Sequence, residues 1–420
     1  MAAKKQAKTR DDTIIQTDVA VIGGGPAGCC LAALLAANGV AAICIDREDP
    51  AKAAPSDFDG RTMAVSFGSR RVIEAAGAWD GMAKAASPIR DIDILDGGGP
   101  TLLTFLSDDV ERDAFGWVIE NRVLRTSLYA ALAAQKNVTH LAPAGVRGFS
   151  HAEGRVTVHL EDGREVRAKL VAGADGKHSF TREQMGIGTR GWDYGQKAIV
   201  CVVTHANPHN HTAIEDFRSE GPLAILPLLD DAEGRHRSTV VWTEEAHAKN
   251  SAVNWDEETF NAALRERFPA FYGDVKLAGP RFSYPLALSH AHSYIGTRMV
   301  LVADAAHAIH PIAGQGLNLG LRDVAELAEL VIKAKRSGQD IGGGDLLKKY
   351  ESARRPDNMA MAAATDMLNK LFSNRSGPLR HARKAGLRLV QKFPAARQFL
   401  MKNAMGASGL LPILIRTGKF

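Results

Sequence analysis

The chain has 420 residues, 45% of them hydrophobic and 24% charged, which is an ordinary globular composition and more than one typical domain. The net charge of +5 is unevenly distributed. Residues 367–420 contain eleven lysines and arginines and no acidic residue, which leaves 41 basic and 47 acidic residues in the rest of the chain. An acidic body with a basic tail predicts an anionic partner for the C-terminal segment. We expect no nucleic-acid partner.

The four cysteines lack the spacing of metal ligands, and Cys29 and Cys30 are adjacent within a predicted helix, which makes them poor disulfide partners. We therefore expect a reducing, cytoplasmic setting. His307 and His310 lie three residues apart without further ligands, so we expect no metal site. Residues 1–16 are predicted to form a disordered tail, because they lack the apolar core of a signal peptide.

Residues 19–45 form a run of 27 uncharged residues, long enough to span a bilayer. The sequence Gly23-Gly-Gly-Pro-Ala-Gly28 and the pair Asn38-Gly39 interrupt this run. We therefore predict a buried strand, a tight glycine turn, a helix and a second strand instead of a membrane span.

This strand–turn–helix–strand unit is typical of dinucleotide binding. The first glycine makes the turn, the second admits a pyrophosphate, and the third lets the helix pack on the strand. Asp46 ends the second strand, where a carboxylate accepts hydrogen bonds from an adenosine ribose. The alternative is a βαβ unit without a ligand. The predicted contacts are Gly23, Gly25, Ala27, Gly28, Asp46 and Arg47.

A second candidate site follows the apolar run 299–303, which predicts a strand buried on both faces. The strand ends at Asp304, and ligands bind at such strand ends in open α/β sheets. A helix is predicted to begin close to Gly316, and its free N–H groups favour negative charge. The predicted contacts are Asp304, Pro311, Gly314, Gly316, Leu317 and Asn318.

The two sites together favour FAD over NAD. A plain nicotinamide-binding domain has no need of a second clamp about 280 residues downstream, whereas a flavin has a ribitol to grip and a ring to hold far from its adenosine. No second strand–GxGxxG–helix unit occurs in the sequence, and we interpret Gly97-Gly-Gly99 and Gly342-Gly-Gly344 as loops. We therefore expect no dedicated nicotinamide domain.

The sequence His310-Pro-Ile-Ala-Gly-Gln-Gly-Leu-Asn-Leu-Gly-Leu-Arg-Asp323 resembles the signature of the flavin-dependent aromatic hydroxylases of ubiquinone biosynthesis. The resemblance runs from about residue 18 to residue 419. It implies a class A flavin monooxygenase that holds FAD and uses NADPH or NADH as a transient co-substrate. Through a C4a-hydroperoxyflavin, such an enzyme would transfer oxygen from O₂ to the ring of a polyprenyl phenol.

The resemblance also implies roles for three residues outside the two clamps. Arg61, in Asp59-Gly-Arg61-Thr-Met-Ala-Val-Ser66, would lie near the flavin beside a helix that starts around Ser66; the alternative is a surface arginine. Arg122 would bind the pyrophosphate through its guanidinium fork, with Arg125 as the rival and a solvated helix face as the alternative. Asp175 would lie near the pyrophosphate, or Asp175-Gly176 would be a structural turn.

The expected fold class is α/β: a Rossmann-like FAD-binding domain with a parallel sheet, a mixed-sheet substrate domain and a C-terminal helical region. The FAD-binding domain would comprise residues 17–187 and 294–370, with 85–118 shared with the substrate domain at 188–293. Strands are predicted at 91–95, 101–105, 198–203, 223–228 and 238–242, and a helix at 256–268. Asp162-Gly163 predicts a hairpin with a type I′ turn.

The segment 371–420 is predicted to form basic amphipathic helices. Its apolar face would be Leu379, Ala382, Gly386, Leu389, Val390 and Phe393, and its basic face Arg380, Arg383, Lys384, Arg388 and Lys392. This pattern favours a helix on an anionic membrane surface, with the protein peripheral on the inner face of the membrane. The alternative is a helix packed on the protein's own acidic body.

No catalytic residue can be assigned from the sequence, which has no Ser-His-Asp arrangement and no paired carboxylates. One alternative to the hydroxylase is a flavin reductase or halogenase of the same fold, although neither a Cys-x-x-Cys nor a Trp-x-Trp-x-Ile-Pro run is present. Another is a non-catalytic, FAD-containing, lipid-binding member of a ubiquinone-biosynthesis complex. A partner reductase could also supply the electrons.

Overall fold

The computed structural model describes residues 14–53, 61–310, 314–372, 377–405 and 411–419. The strands are β1 Ile14–Ile22, β2 Ala42–Ile45, β3 Thr62–Ser66, β4 Ser87–Ile89, β5 Asp91–Asp96, β6 Leu103–Leu106, β7 Gly116–Glu120, β8 Val138–Leu141, β9 Val146–Ala152, β10 Arg155–Leu160, β11 Glu165–Gly173, β12 Thr189–His205, β13 Thr212–Arg218, β14 Gly221–Leu228, β15 His236–Glu245, β16 Val275–Leu277, β17 Phe282–Ala291, β18 Ile295–Gly296, β19 Met299–Leu301 and β20 His307–Ala308. The helices are α1 Pro26–Ala37, α2 Pro50–Ala53, α3 Phe67–Ala75, α4 Asn121–Ala134, α5 Phe180–Gln184, α6 Glu257–Arg267, α7 Gln315–Arg336, α8 Gly344–Phe372, α9 Gly377–Lys392, α10 Pro394–Ala404 and α11 Ile413–Thr417.

The first sheet has the strand order β18-β19-β11-β1-β2-β8, with β10 and β9 continuing from β11. The strands β19, β11, β1, β2 and β8 run parallel. Strands β2 and β19 and the second half of β1 are apolar and buried because protein covers both faces of the sheet, with α1 and α7 on one face and β9 and β10 on the other. The register places Ile22 beside Ile45 and Gly173, and Gly173 beside Leu301. Four strands therefore end at one edge, where ligands bind in this architecture.

The second sheet has the order β20-β17-β12-β15-β14-β13-β5-β6, with β16 paired to β12. The predicted hairpin at 91–105 is confirmed as β5 and β6, and the strands at 198–203, 223–228 and 238–242 are confirmed within β12, β14 and β15. The predicted helix at 256–268 is confirmed as α6. The sequence did not predict β13, because Glu215 and Asp216 break its apolar pattern.

The uncharged run at 19–45 folds into β1, α1 and β2, as predicted. Among the described residues, no helix combines the length and the apolar character that crossing a membrane requires. The strand β1 begins at Ile14, so the tail predicted for 1–16 is wrong for residues 14–16, which pair with β11. The earlier part of that tail lies outside the described residues.

The turn predicted at Asp162-Gly163 is a different type. The hairpin of β10 and β11 forms, but of these two residues only Gly163 has a positive φ, of +87°. Gly163 N donates to Leu160 O at 3.2 Å, and Leu160 N donates to Arg164 O at 2.9 Å. A type I′ turn needs positive φ at both central residues, so the loop is instead a turn followed by a glycine bulge.

The predicted C-terminal helix forms as α9, but its faces differ from the prediction. Arg383, predicted on the basic face, is buried and donates to Asp96 of β5 at 2.5 Å. Leu387 and Val390 pack on the second sheet, while Leu389 and Phe393 are exposed. A buried guanidinium paired with a carboxylate has to take the inward side of the helix, which turns Leu389 and Phe393 outward.

Candidate cofactor and active site

The glycine loop after β1 has the geometry that its three glycines predict. Gly23 has φ +107°, and a Cβ there would lie 2.4 Å from Ala174 O. A Cβ on Gly28 would lie 1.9 Å from Gly23 O, so α1 packs directly on the turn. Apart from its chain neighbours, no described residue has a heavy atom within 4 Å of a Cβ built on Gly25. The loop therefore presents open space at the N-terminus of α1, where backbone N–H groups favour a phosphate.

The Asp46 carboxylate holds this loop in place. Its Oδ2 accepts from Gly24 N at 2.7 Å, and its Oδ1 accepts from Glu48 N at 3.0 Å. Each oxygen keeps a further lone pair, which is what a ribose hydroxyl would use. Arg47 is exposed beside it, and Ala27 lies in the first turn of α1.

The second clamp is the start of α7. Gly314 caps this helix with φ +62°, and a Cβ there would lie 2.9 Å from Ala64 Cβ. Among the described residues, a Cβ on Gly316 would meet no atom within 4 Å beyond its own helix backbone and chain neighbours, and Leu317 is half-buried beside it. The predicted contact Pro311 lies outside the described residues.

The side chain of Asn318 holds the two elements of this clamp together. Its Oδ1 accepts from Ser66 N at 2.8 Å, and its Nδ2 donates to Ala64 O at 3.1 Å and to Gly314 O at 2.9 Å. These bonds join β3 to the first turn of α7. The predicted helix start at Ser66 is confirmed, because Ser66 caps α3.

Both helix starts and the end of β19 lie at one cleft. A Cβ on Gly320 of α7 would lie 2.6 Å from Ala303 Cβ and 4.0 Å from Ala27 Cβ. Glycine at this position lets α7 approach both neighbours closely. The positive ends of α1 and α7 are therefore close to each other and to Asp304.

The Asp304 carboxylate is accessible from this cleft and, among the described residues, has no hydrogen-bond partner. Protein nevertheless surrounds it closely enough that desolvation raises its pKa above the ordinary value. It is an unused acceptor at the end of β19, where a carboxylate would accept hydrogen bonds from the ribitol hydroxyls of FAD.

Arg61 and Arg122 lie near each other, because Asn121 N donates to Arg61 O at 2.9 Å. Arg122 Nε donates to Glu120 Oε2 at 2.8 Å. The rival Arg125 donates to Glu48 Oε2 and to Tyr129 OH, each at 3.2 Å. Arg125 is therefore tied to the segment that follows Asp46, and the pyrophosphate role of Arg122 stays a prediction.

The geometry of Asp175 favours the structural alternative. Its carboxylate accepts from Ser179 Oγ at 2.5 Å and from Thr181 N and Oγ1 at 2.8 and 2.9 Å. These bonds organise the start of α5. The backbone of this segment, and not the carboxylate, lines the glycine loop, since Asp175 Cα would lie 2.9 Å from a Cβ on Gly23.

Comparisons with known proteins agree with this cleft. A family model described as an FAD binding domain matches residues 16–365. The chain is 42% identical to the ubiquinone hydroxylase UbiL of Rhodospirillum rubrum, over 94% of this chain and 91% of that protein. It is 33% identical to the 3-demethoxyubiquinol 3-hydroxylase of Escherichia coli K12, over 93% of this chain and 98% of that enzyme. The chain belongs to the FAD-dependent ubiquinone hydroxylases. In fold it resembles the p-nitrophenol 4-monooxygenase PnpA of Pseudomonas putida DLL-E4, with a TM-score of 0.78 at 20% identity over 94% of this chain and 99% of that one.

The hydroxylase cleft fits FAD. Gly25 and Gly316 leave room for a ligand at two helix starts, and Asp304 offers an unused carboxylate between them. Backbone N–H groups at the start of α7 would stabilise negative charge on a reduced flavin ring. When bound, FAD supplies the oxygen-activating chemistry of a monooxygenase, and the protein orients the substrate and excludes water.

The sequence does not reveal a role for Asp323, but this residue is central to the structure of the hydroxylase. It is fully buried and accepts from Ala303 N at 3.1 Å, His307 Nε2 at 2.6 Å, Arg354 Nε at 2.9 Å and Asn358 Nδ2 at 3.0 Å. Burial opposes its ionisation, but the His307 and Arg354 charges and these bonds outweigh burial and lower the pKa of Asp323 to about 2. In the sequence, the spacing of Arg354 and Asn358, which are one helical turn apart, is the feature that would have indicated a shared partner.

His310 is buried, and within the described residues neither ring nitrogen has a hydrogen-bond partner. Burial lowers its pKa to about 4, so the ring is neutral at pH 7. Tyr194 of β12 packs edge-on against it at 4.9 Å. The described residues contain no cluster of three metal-ligating side chains.

We predict that Asp304→Ala weakens FAD binding by about 10–100-fold, because a charge-assisted hydrogen bond contributes about 1.5–3 kcal/mol. Titration of the FAD-free protein with FAD measures this, and Asp162→Ala, in the turn at the opposite edge of the sheet, is the matched control. A fully loaded, yellow Asp304→Ala protein would contradict the ribitol role.

We predict that Asp323→Asn lowers the free energy of unfolding by about 3–5 kcal/mol at pH 7, since it removes the fully buried carboxylate that pairs with Arg354 and leaves that guanidinium only the partly exposed Asp357. The folded-state pKa of Asp323 is depressed, so the carboxylate stabilises the fold above about pH 4. This stabilisation is lost as the pH falls towards 2. Chemical denaturation measures both effects.

The control is Asp340→Asn, which breaks a half-exposed pair with Arg298 and should change the free energy of unfolding by no more than about 1 kcal/mol. Equal effects of the two substitutions would show that the Asp323 network does not stabilise the fold as described.

Proposed function

We propose that this chain hydroxylates the aromatic ring of a polyprenyl phenol in ubiquinone biosynthesis, using NADPH or NADH and O₂. The observation that carries the proposal is the 42% identity to a ubiquinone hydroxylase over 94% of this chain. The segment His310–Asp323, which predicted the family, belongs to the matched part of the chain.

The second sheet supports an apolar, ring-bearing substrate. One face of this sheet packs on α6. On the other face, four apolar side chains stay partly exposed although their neighbours are buried, namely Val200, Ala224, Leu226 and Val241. We call these four residues the apolar strip. An apolar wall beside a flavin site would hold the aromatic ring and keep water away from the reaction.

The C-terminal helices support contact with an anionic membrane surface, where a polyprenyl substrate would be found. Large apolar side chains are exposed there, including Leu389, Phe393 at 56%, Phe399 at 65% and Leu400. Arg388 and Lys392 are exposed on the same helix as Leu389. This combination of exposed aromatic and basic side chains is typical of helices that lie in a membrane interface.

We predict that the purified protein shows flavin absorbance bands and that anaerobic NADPH bleaches them faster when a prenylated phenol is present. Such gating would establish a substrate-dependent monooxygenase, and oxygenated product would identify the ring carbon. Bands that stay unbleached would indicate a partner reductase, and a flavin-loaded protein without turnover on any quinone precursor would contradict the proposal.

We predict that Phe393→Ser combined with Phe399→Ser reduces binding to anionic liposomes by at least about tenfold, since each removes apolar area from the interface. Cosedimentation measures this. Deletion of the whole segment is unsuitable, because Arg383, Met401 and Met405 are buried in the body. The matched control is Phe271→Ser, an exposed phenylalanine in the turn after α6. Binding unchanged by the double substitution would exclude this surface.

A further inference from the structure

Glu215, in the middle of β13, is a buried acid that the cofactor cleft does not use. Its exposed fraction is 8%. Within the described residues, its carboxyl group has no hydrogen bond and no ion pair, and no cation lowers its pKa. Burial and the neighbouring Asp216 instead raise the pKa of Glu215 to about 7.

This arrangement is unusual, because a buried carboxyl group normally has a partner. The adjacent acid, Asp216, has such partners. Asp216 accepts from Arg218 Nε at 2.7 Å and from Gly98 N at 3.1 Å. An acid that the fold leaves without a partner, in a buried place, is a candidate for a group that acts on a ligand.

The side chain of Glu215 lies on the face of the sheet that is turned away from α6. Successive residues of a strand alternate between faces, and Ile214 packs with the α6 cluster. On the other face, Ala213 packs with Val118 and Val202, and Phe217 stacks on Phe372 of α8 at 3.8 Å. Glu215 therefore shares a face with Ala213 and Phe217.

On that face, Glu215 is continuous with the apolar strip. It pairs with Ala224, Ala224 pairs with Val241, and Val241 pairs with Val200, across four adjacent strands. Directly paired residues place their side chains side by side. Glu215 therefore supplies the carboxyl group at one end of a row whose other members are apolar and partly exposed.

Packing contacts and a hydrogen bond link this face to the start of α7, beside which the flavin ring would bind. Ala213 belongs to a cluster against which Leu226 of the strip and Phe67 pack. Phe67 is the first residue of α3, and the preceding residue, Ser66, donates its N–H to Asn318 at the start of α7. Through Phe67 and Ser66, the face that carries Glu215 is therefore linked to the start of α7.

We propose that Glu215 is the substrate-side catalytic residue: its carboxylate accepts the hydrogen bond of the phenolic hydroxyl and takes that proton as the ring is hydroxylated. This inference rests on the proposed function. The O–H electron pair stays on the phenol oxygen and raises the electron density of the ring carbon. That carbon forms the new C–O bond with one atom of O₂ as the O–O bond breaks, and the other atom leaves as water with the two electrons that NADPH or NADH supplies. That carbon then loses its own proton to restore the aromatic ring, and Glu215 returns its proton to the phenol oxygen or to solvent.

The first test uses the FAD-loaded wild-type protein and two ligands, a short-chain prenylated phenol and its O-methyl ether, with binding followed by flavin fluorescence. Between pH 6 and pH 8 the preference for the phenol should rise by about tenfold or more, because an ionised acceptor binds an O–H donor and not an ether. A preference that does not change with pH would overturn the proposal.

The second test uses Glu215→Gln, with Glu244→Gln as the matched control. Glu244 lies on the α6 side of the same sheet, where Ala252 N donates to it. Glu215→Gln should abolish the pH-dependent preference for the phenol and lower hydroxylation while FAD reduction by NADPH persists. The control should keep the preference. A Glu215→Gln protein with an unchanged preference would refute the role.

Thermal denaturation checks that the Glu215 variant folds. The folded-state pKa of Glu215 lies above its unfolded value, so the wild-type protein loses stability as the pH rises from about 4.5 to 7. Glu215→Gln should therefore raise the Tm at pH 8 and leave it nearly unchanged at pH 4.5.

The binding tests separate this inference from the proposed function. A wild-type protein that binds the phenol with the expected pH dependence but forms no hydroxylated product would contradict the proposed reaction and leave the binding role of Glu215 standing. Hydroxylation that Glu215→Gln carries out at the wild-type rate and with the same pH profile would contradict the catalytic role alone.

Discussion

The fold of the cofactor cleft depends on one buried anion. Asp323 of α7 joins two parts of the chain: the turn at Ala303 and the adjoining β20, through Ala303 N–H and His307, and α8, through Arg354 and Asn358. Because an isolated buried carboxylate is costly, each of its partners is constrained to remain in place. The constraint fixes the turn that carries Asp304, and it fixes α7 relative to the strand ends.

The cleft itself is formed mainly by backbone. Gly25 and Gly316 provide the open space, and the starts of α1 and α7 provide the N–H groups. Several polar side chains at the predicted contacts also hold this backbone in place. Asp46 holds the glycine loop, Asn318 holds β3 to α7, and Asp175 accepts hydrogen bonds at the start of α5. The Asp304 carboxylate has no hydrogen-bond partner among the described residues.

The two faces of the second sheet differ in how completely they are covered. The face toward α6 is a continuous apolar core. The opposite face is covered at both ends, by Phe372 and by the Met401 and Met405 side chains. Between these covered ends lies the apolar strip, next to Glu215. A partly exposed apolar surface lowers the stability of the protein without a ligand, which is expected where a fold contains a binding site.

The sequence by itself determined the elements whose signal is local: the β1–α1–β2 unit, the strand-end position of Asp304 and the start of α7. Glycines at tight turns and uninterrupted apolar runs have few structural solutions, and the family motif extended the prediction to FAD and to the reaction. Only the tertiary structure showed which polar side chains already have a hydrogen-bond or ion-pair partner within the protein. The prediction placed Arg383 on the wrong face, and it missed the hydrogen bonds that Asp175 accepts from Ser179 and Thr181, because neither Asp96 nor Thr181 can be identified as a partner from helical or strand periodicity. Glu215 was overlooked for the same reason: a carboxyl group is unusual only when its surroundings are known to lack a partner, and those surroundings come from four strands that the fold brings together.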